Sequence, residues 1–136
     1  MKLSSKSRYG LNAMYHLALN NPEEYLNLTE LSKRTNISQP YLEKVMGMLK
    51  QKGLIEANRG VQGGYKLTNE PSNTTIGQIL RVFESDLIFA DCSRSSGCTN
   101  FNCPSKGIYK MIYGKLNKFL DELTLQDMID NKGDIL

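Results

Sequence analysis

Asn36-Ile37-Ser38-Gln39-Pro40-Tyr41-Leu42-Glu43-Lys44-Val45-Met46-Gly47-Met48-Leu49 reads as a tight turn running into a short amphipathic helix. Ser38 is placed to cap the helix, and Pro40 is tolerated in a first turn that needs no backbone donor. Leu42, Val45, Met46 and Leu49 fall at i, i+3, i+4 and i+7 on one face, and Gly53 supplies the stop. Just upstream, Asn27-Leu28-Thr29-Glu30 has the spacing of a capping box and predicts another short helix, ending around Thr35-Asn36. Two short helices joined this way are the layout of a helix-turn-helix, which puts the second helix in the DNA major groove. Any pair of packed helices shares that much, so the next segment of the chain decides. Leu54-Ile55-Glu56-Ala57 and Tyr65-Lys66-Leu67 are strand candidates joined by the Gly-rich Asn58-Arg59-Gly60-Val61-Gln62-Gly63-Gly64. A β-hairpin directly after a helix-turn-helix makes a winged helix.

Working outward, Leu11, Met14, Tyr15, Leu17 and Ala18 mark the buried side of a first helix that starts near Ser4 or Ser5 and fails by Asn20-Asn21-Pro22. Downstream, Glu70-Pro71-Ser72-Asn73 breaks the chain, and Thr75-Ile76-Gly77-Gln78 offers a second capping box ahead of Ile76, Ile79, Leu80 and Phe83. From about Ser105 to Leu123 runs the longest predicted helix, roughly 30 Å at the standard rise. Its apolar residues Ile108, Met111, Ile112, Leu116, Phe119, Leu120 and Leu123 recur at gaps dominated by three and four. That stripe exceeds what a small winged helix needs, which favours pairing with a second copy. Thr124-Leu125-Gln126-Asp127 caps a last short helix, with a fraying tail expected from Asn131. The expected fold is mostly α with a small β-hairpin. Residues 1–70 form a winged helix-turn-helix DNA-binding domain, and residues 71–136 a cysteine-loop sensor and dimerisation region.

Charge agrees with a nucleic-acid partner. Of 17 Lys and Arg and 14 Asp and Glu, the first 66 residues carry ten bases against five acids and the remainder seven against nine. Lys-rich helix surfaces also serve solubility, so the asymmetry gains meaning only from the fold. The opening Met1-Lys2-Leu3-Ser4-Ser5-Lys6 lacks the apolar run of a signal peptide, and no later segment has the length of a membrane span, so a cytoplasmic protein is expected. An enzyme is not expected. The chain has one histidine, no nucleophile–base–acid set, and no strand-to-helix context that would make Gly60-Val61-Gln62-Gly63-Gly64 a nucleotide-binding loop. His16, mid-helix among apolar neighbours, reads as a packed or surface residue.

Candidate DNA-reading residues come from docking geometry. The first turns of a recognition helix approach base edges, which nominates Ser38, Gln39, Pro40, Tyr41, Glu43 and Lys44, with Leu42 turned inward. Gln39 and Lys44 carry donors for bases or phosphates, and Glu43 can accept from cytosine. In the wing, Arg59 beside Gly60 suits the negative potential of a narrow minor groove, where the glycines permit close approach.

All three cysteines, Cys92, Cys98 and Cys103, lie within twelve residues of a Ser-, Gly- and Asn-rich stretch. Three thiols leave one over in any disulfide scheme, and in a reducing compartment clustered thiols favour metal ligation or redox chemistry. Thiolates suit iron–sulfur clusters and zinc alike, but the paired C-x2-4-C knuckles usual for zinc are absent.

Taken together, Met1-Lys2-Leu3-Ser4-Ser5-Lys6-Ser7-Arg8-Tyr9-Gly10, Ile37-Ser38-Gln39-Pro40-Tyr41-Leu42-Glu43, Arg59-Gly60-Val61-Gln62-Gly63-Gly64-Tyr65 and the cysteine stretch resemble the bacterial IscR-type winged-helix transcription regulators. The resemblance runs through Leu123-Thr124-Leu125. It implies a homodimer with long helices crossing at its interface and two heads on a double-stranded DNA operator. In several branches it also implies an iron–sulfur cluster held by three cysteines. A related branch lacks these cysteines and regulates cysteine metabolism through a metabolic-enzyme partner. The cluster-assembly regulators space their thiols C-x5-C-x5-C and add a His three residues on, whereas here the spacing is C-x5-C-x4-C and that position is Lys106. The nitric-oxide-sensing branch takes an acidic ligand from the partner's first helix, where this chain has Arg8. Asp91, Asn102, Ser105, a backbone atom or an exogenous thiol remain as fourth ligands. The resemblance ranks a [2Fe–2S] cluster first, then [4Fe–4S], then a metal-free thiol switch, with zinc last. The function implied is a cluster-dependent regulator, a repressor of cluster assembly or of a related redox or sulfur response. The alternative is a regulator of cysteine metabolism without a functional cluster.

Overall fold

Local capping sets the helix starts in this computed structural model, which describes residues 2–85, 87 and 102–131. The Ser4 hydroxyl accepts the Ser7 N–H at 3.2 Å and opens α1, Ser5–Leu19. Asn27 does the same for α2, Leu28–Thr35, taking the Glu30 N–H at 2.7 Å. Ser38 stands at the N-cap of α3, Gln39–Gln51, but its hydroxyl makes no capping bond, contrary to the sequence expectation. The turn before it is held instead by Asn36 in the left-handed conformation (φ 58°) and by the Ser32 hydroxyl donating to the Ile37 carbonyl at 2.5 Å. Both signals are local, yet the sequence spacing suggested the Ser38 cap and not these bonds.

The wing consists of β1, Ile55–Asn58, and β2, Gly64–Leu67, paired antiparallel with Ile55 opposite Leu67 and Asn58 opposite Gly64. Leu26 and Tyr65 exchange backbone hydrogen bonds at 2.8 and 2.9 Å, so the segment before α2 lies along β2 and anchors the hairpin to the head. That close approach explains Gly64. Its φ is 152°, and a Cβ there would run into the backbone of Leu26 and Asn27.

After a 3-10 turn at Pro71–Asn73 comes α4, Ile76–Phe83, with a complete capping box in which Thr75 and Gln78 each bond the other's backbone N–H. Beyond it come α5, Lys106–Glu122, and α6, Leu125–Asn131, the latter opened by Thr124 and Asp127 bonding reciprocally. The turn between α5 and α6 is pinned beside the start of α4, where Ile76 N–H meets the Leu123 carbonyl at 2.8 Å and Leu125 N–H the Thr74 carbonyl at 2.9 Å. One hydrophobic core runs through the head and beyond it. Met14, Leu31, Leu42, Met46, Leu49 and Ile79 are wholly shielded from solvent, and Leu125 of α6 joins the same cluster.

Helix α5 is different in kind, because none of its residues is buried. On the side toward α4, Arg81 pairs with Asp121 and donates to Asn117 Oδ1 at 2.8 Å, while Asn117 Nδ2 donates to the Leu87 carbonyl at 3.1 Å. The apolar stripe is split. Ile112, Leu116 and Leu120 are half-buried, whereas Ile108, Met111 and Phe119 stand 51–56% exposed. The cysteine stretch falls mostly outside the described residues, as does the tail beyond Asn131.

Gly64→Ala is expected to destabilise the protein by about 1–3 kcal/mol, because the added methyl meets backbone that cannot swing aside. Thermal denaturation followed by circular dichroism checks this. A control at Gly47, around which a Cβ would find open space, should leave the fold in place.

Candidate nucleic-acid interface

The pattern that buries Leu42, Val45, Met46 and Leu49 of α3 leaves Gln39, Pro40, Glu43, Lys44, Gly47 and Lys50 on its outer face, all exposed. Ser38 is exposed at the head of that face. Its neighbour Gln39 donates from Nε2 to the Thr29 hydroxyl at 3.4 Å, joining the starts of α2 and α3. Tyr41 differs from the other candidates, being half-buried and packed edge-on against Tyr9 of α1, with ring centroids 5.3 Å apart and planes at 86°.

The wing lies alongside this face. Arg59 and Gly60 are exposed in the hairpin turn, where Gly60 has φ 108° and its carbonyl takes the Gly63 N–H at 3.0 Å. The Asn58 side chain accepts the Arg59 N–H at 3.0 Å and fixes the direction in which the turn leaves β1. Between α3 and the wing is an open groove of about 520 Å³ lined by Glu43, Gly47, Lys50, Arg59, Gly60 and Tyr65. The structure thus brings Glu43 together with Arg59 and Gly60 around one groove and adds Lys50 and Tyr65, which sequence reasoning missed. Lys50 falls on the Glu43–Gly47 face at the next helical interval, a signal that was available. Tyr65 had none, since its place depends on the pairing with Leu26.

Charge in the groove is mixed. Among the described residues, Lys44, Lys50 and Arg59 form no ion pair, whereas Arg34 pairs with Glu30 at 3.2 Å and Lys66 with Glu56 at 3.9 Å. The first set is therefore the more available to an anionic partner. Partial burial, and then the Glu43 carboxylate, push the Tyr65 hydroxyl above its ordinary range. His16 is held below its ordinary value by burial and then by Arg34, so it favours the neutral form that a packed residue requires.

Of the three thiols, Cys103 lies among the described residues, half-exposed just ahead of α5, with its carbonyl accepting the Lys106 N–H at 3.3 Å. Cys92 and Cys98 lie outside them. Among the described residues, no group of three or more His, Cys, Asp or Glu is arranged to hold a metal ion, and no helix is long and apolar enough to cross a membrane.

A helix-turn-helix whose second helix turns a polar face outward beside a Gly-rich hairpin defines a winged-helix DNA-binding protein. The chain belongs to the Rrf2 family of iron-dependent transcriptional regulators, which it matches over residues 3–131. It is 30% identical to the HTH-type transcriptional regulator IscR of Escherichia coli across 97% of this chain and 82% of that one. Among solved structures it resembles IscR of T. potens (TM-score 0.78, 30% identity, covering 98% and 90% of the two chains). It also resembles CymR, the global cysteine regulator of B. subtilis (TM-score 0.81, 32% identity, covering 94% and 95%). The chain is a transcription regulator that acts by binding DNA, not an enzyme.

Because the Glu43 charge contributes to the raised Tyr65 value, Glu43→Gln is expected to move the Tyr65 titration down toward the ordinary tyrosine range, with the burial contribution remaining. NMR titration of ring-labelled tyrosine checks this. An unmoved Tyr65 would mean that the carboxylate does not face the groove.

Proposed function

We propose that this regulator is a cytoplasmic homodimeric repressor whose affinity for its double-stranded operator is set by an iron–sulfur cluster on Cys92, Cys98 and Cys103, [2Fe–2S] in preference to [4Fe–4S]. The observation that carries this reading is the position of Cys103. Its half-exposed thiol stands directly before α5, the helix with an open apolar face, at the end of a twelve-residue stretch holding the other two thiols. The donor chemistry fits, since three thiolates are soft ligands suited to iron. In this reading Asp91, Asn102, Ser105, a backbone atom or an exogenous thiol completes the shell around the three thiolates. When bound, the cluster supplies a redox-active centre that can be lost or oxidised, and a fourth ligand other than histidine favours that lability.

The chain's own residues supply the DNA reading. In this proposal residues 1–70 are the DNA-binding domain and residues 71–136 the sensor and dimerisation region. Ser38, Gln39, Pro40, Tyr41, Glu43 and Lys44 face the major groove, and Arg59 with Gly60 enters the adjoining minor groove. Dimerisation covers Ile108, Met111 and Phe119 and sets the two heads roughly 34 Å apart along the duplex. A second reading is favoured by the likeness to the global cysteine regulator of B. subtilis. On it the chain governs cysteine metabolism through a metabolic-enzyme partner, with its thiols uninvolved.

Anaerobic reconstitution with iron and sulfide separates the two. The wild type should gain visible charge-transfer absorption, and loaded and unloaded forms should differ in operator affinity by about 5–150-fold, the usual range of such coupling. The triple Cys92→Ser, Cys98→Ser, Cys103→Ser variant should show neither effect. A wild type that stays colourless yet binds its operator at full affinity supports the enzyme-partner reading instead.

Phe119→Asp should yield monomers with weakened operator binding, because it would bury an unpaired charge in the seam. Sedimentation velocity checks this, and a wild type that is monomeric at micromolar concentration contradicts the dimer.

A further inference from the structure

Glu84 is the first residue after α4, where the chain leaves for the cysteine stretch, and its carboxylate reaches back to the other end of the sequence. Its Oε1 accepts the Ser4 N–H at 2.7 Å and the Ser7 hydroxyl at 2.6 Å. Ser7 is wholly buried, so this hydroxyl has no water to fall back on. The acceptor sits at the start of α1, the end of a helix where negative charge is favoured. These hydrogen bonds, the Ser7 one foremost, hold the Glu84 carboxyl below its usual range. The adjacent Phe83 packs its ring on Gly10 so closely that a Cβ at position 10 would overlap it. Consecutive residues at the end of α4 thus grip the first two turns of α1.

Those same turns carry Tyr9, whose ring braces Tyr41. Tyr41 lies in the first turn of α3, between Gln39 and Glu43. The path from Glu84 to the outer face of α3 is therefore short: carboxylate to α1, then Tyr9 to Tyr41.

We propose that Glu84 is a positioning residue for DNA reading, which through the start of α1 and the Tyr9–Tyr41 contact holds the first turn of α3 at the angle the operator requires. This rests on the reading of α3 as the recognition helix. Glu84 need not touch DNA, and its effect falls on the operator rather than on DNA in general.

The test is a double-mutant cycle on the full-length protein, with operator and unrelated-duplex affinities read by fluorescence anisotropy and folding by thermal melts. Glu84→Ala should weaken operator binding about tenfold, the scale of one charge-assisted hydrogen bond, and leave binding to unrelated duplex within about twofold. Glu84→Gln keeps an acceptor oxygen and should restore most of the loss. In a Tyr9→Leu background, where the path is already cut, Glu84→Ala should cost less than about twofold further. If Glu84→Ala does not fold, Ser7→Ala removes one of the two donors and carries the same test. Operator affinity unchanged by Glu84→Ala, or losses that multiply independently of Tyr9, overturn the proposal. Glu43→Ala and Lys44→Ala serve as reference. If they weaken operator binding and Glu84→Ala does not, the positioning role alone fails; if they too have no effect, the α3 reading fails and the proposal falls with it.

Discussion

Burial of one face of α1 is the constraint on which the rest of the structure depends. Met14 has no exposed surface and Leu17 almost none, and around them pack α2, α3 and the wing from the first half of the chain and α4 and α6 from the second. No small set of local contacts could replace that face, because each neighbour has only a short apolar stripe of its own to contribute. The head is therefore built around its first helix. The placement of α3 depends in turn on its packing against that helix.

The same constraint shapes the site. The outer face of α3 is polar because its opposite face is committed to the core, so the residues turned outward are fixed by the burial of Leu42, Val45, Met46 and Leu49. The wing cannot swing freely, since Leu26 and Tyr65 bind it to the segment that leads into α2. A rigid helix beside an anchored hairpin frames a groove of fixed composition. Lys50 and Arg59 are its cations, and Glu43 is its acid. Helix α5 contributes little to this core. Arg81 ties it to α4 through polar contacts, and Ile108, Met111 and Phe119 are left open.

Much of this was legible in the sequence because it is local. The Thr75–Gln78 capping box, the one-faced stripe of α3, the proline in its first turn and the glycine-rich turn of the wing are short-range patterns, and each appears where the spacing puts it. What escaped depends on distance along the chain. Glu84 lies 77 and 80 residues from its partners Ser7 and Ser4, and Arg81 lies 40 from Asp121, separations that no helical period encodes. The α5 stripe shows the limit of periodicity most plainly. Spacing put Ile112, Leu116 and Phe119 in one stripe, while the fold leaves the first two half-buried and Phe119 open, with Asn117 and Asp121 of the same helix bonded to Arg81 of α4. The cysteine stretch has no period to read, and its chemistry was inferred from its donors alone.

The central claim is that two copies of this head read a symmetric operator, each with α3 in a major groove and the wing in the minor groove beside it. Hydroxyl-radical footprinting of the operator reports this most directly, since the radical attacks the sugars lining the minor groove. The expected pattern is a pair of protected minor-groove patches from the two wings, symmetric about the operator centre and flanking two major-groove half-sites about one helical turn apart. A single protected patch, or protection without two-fold symmetry, would contradict the claim.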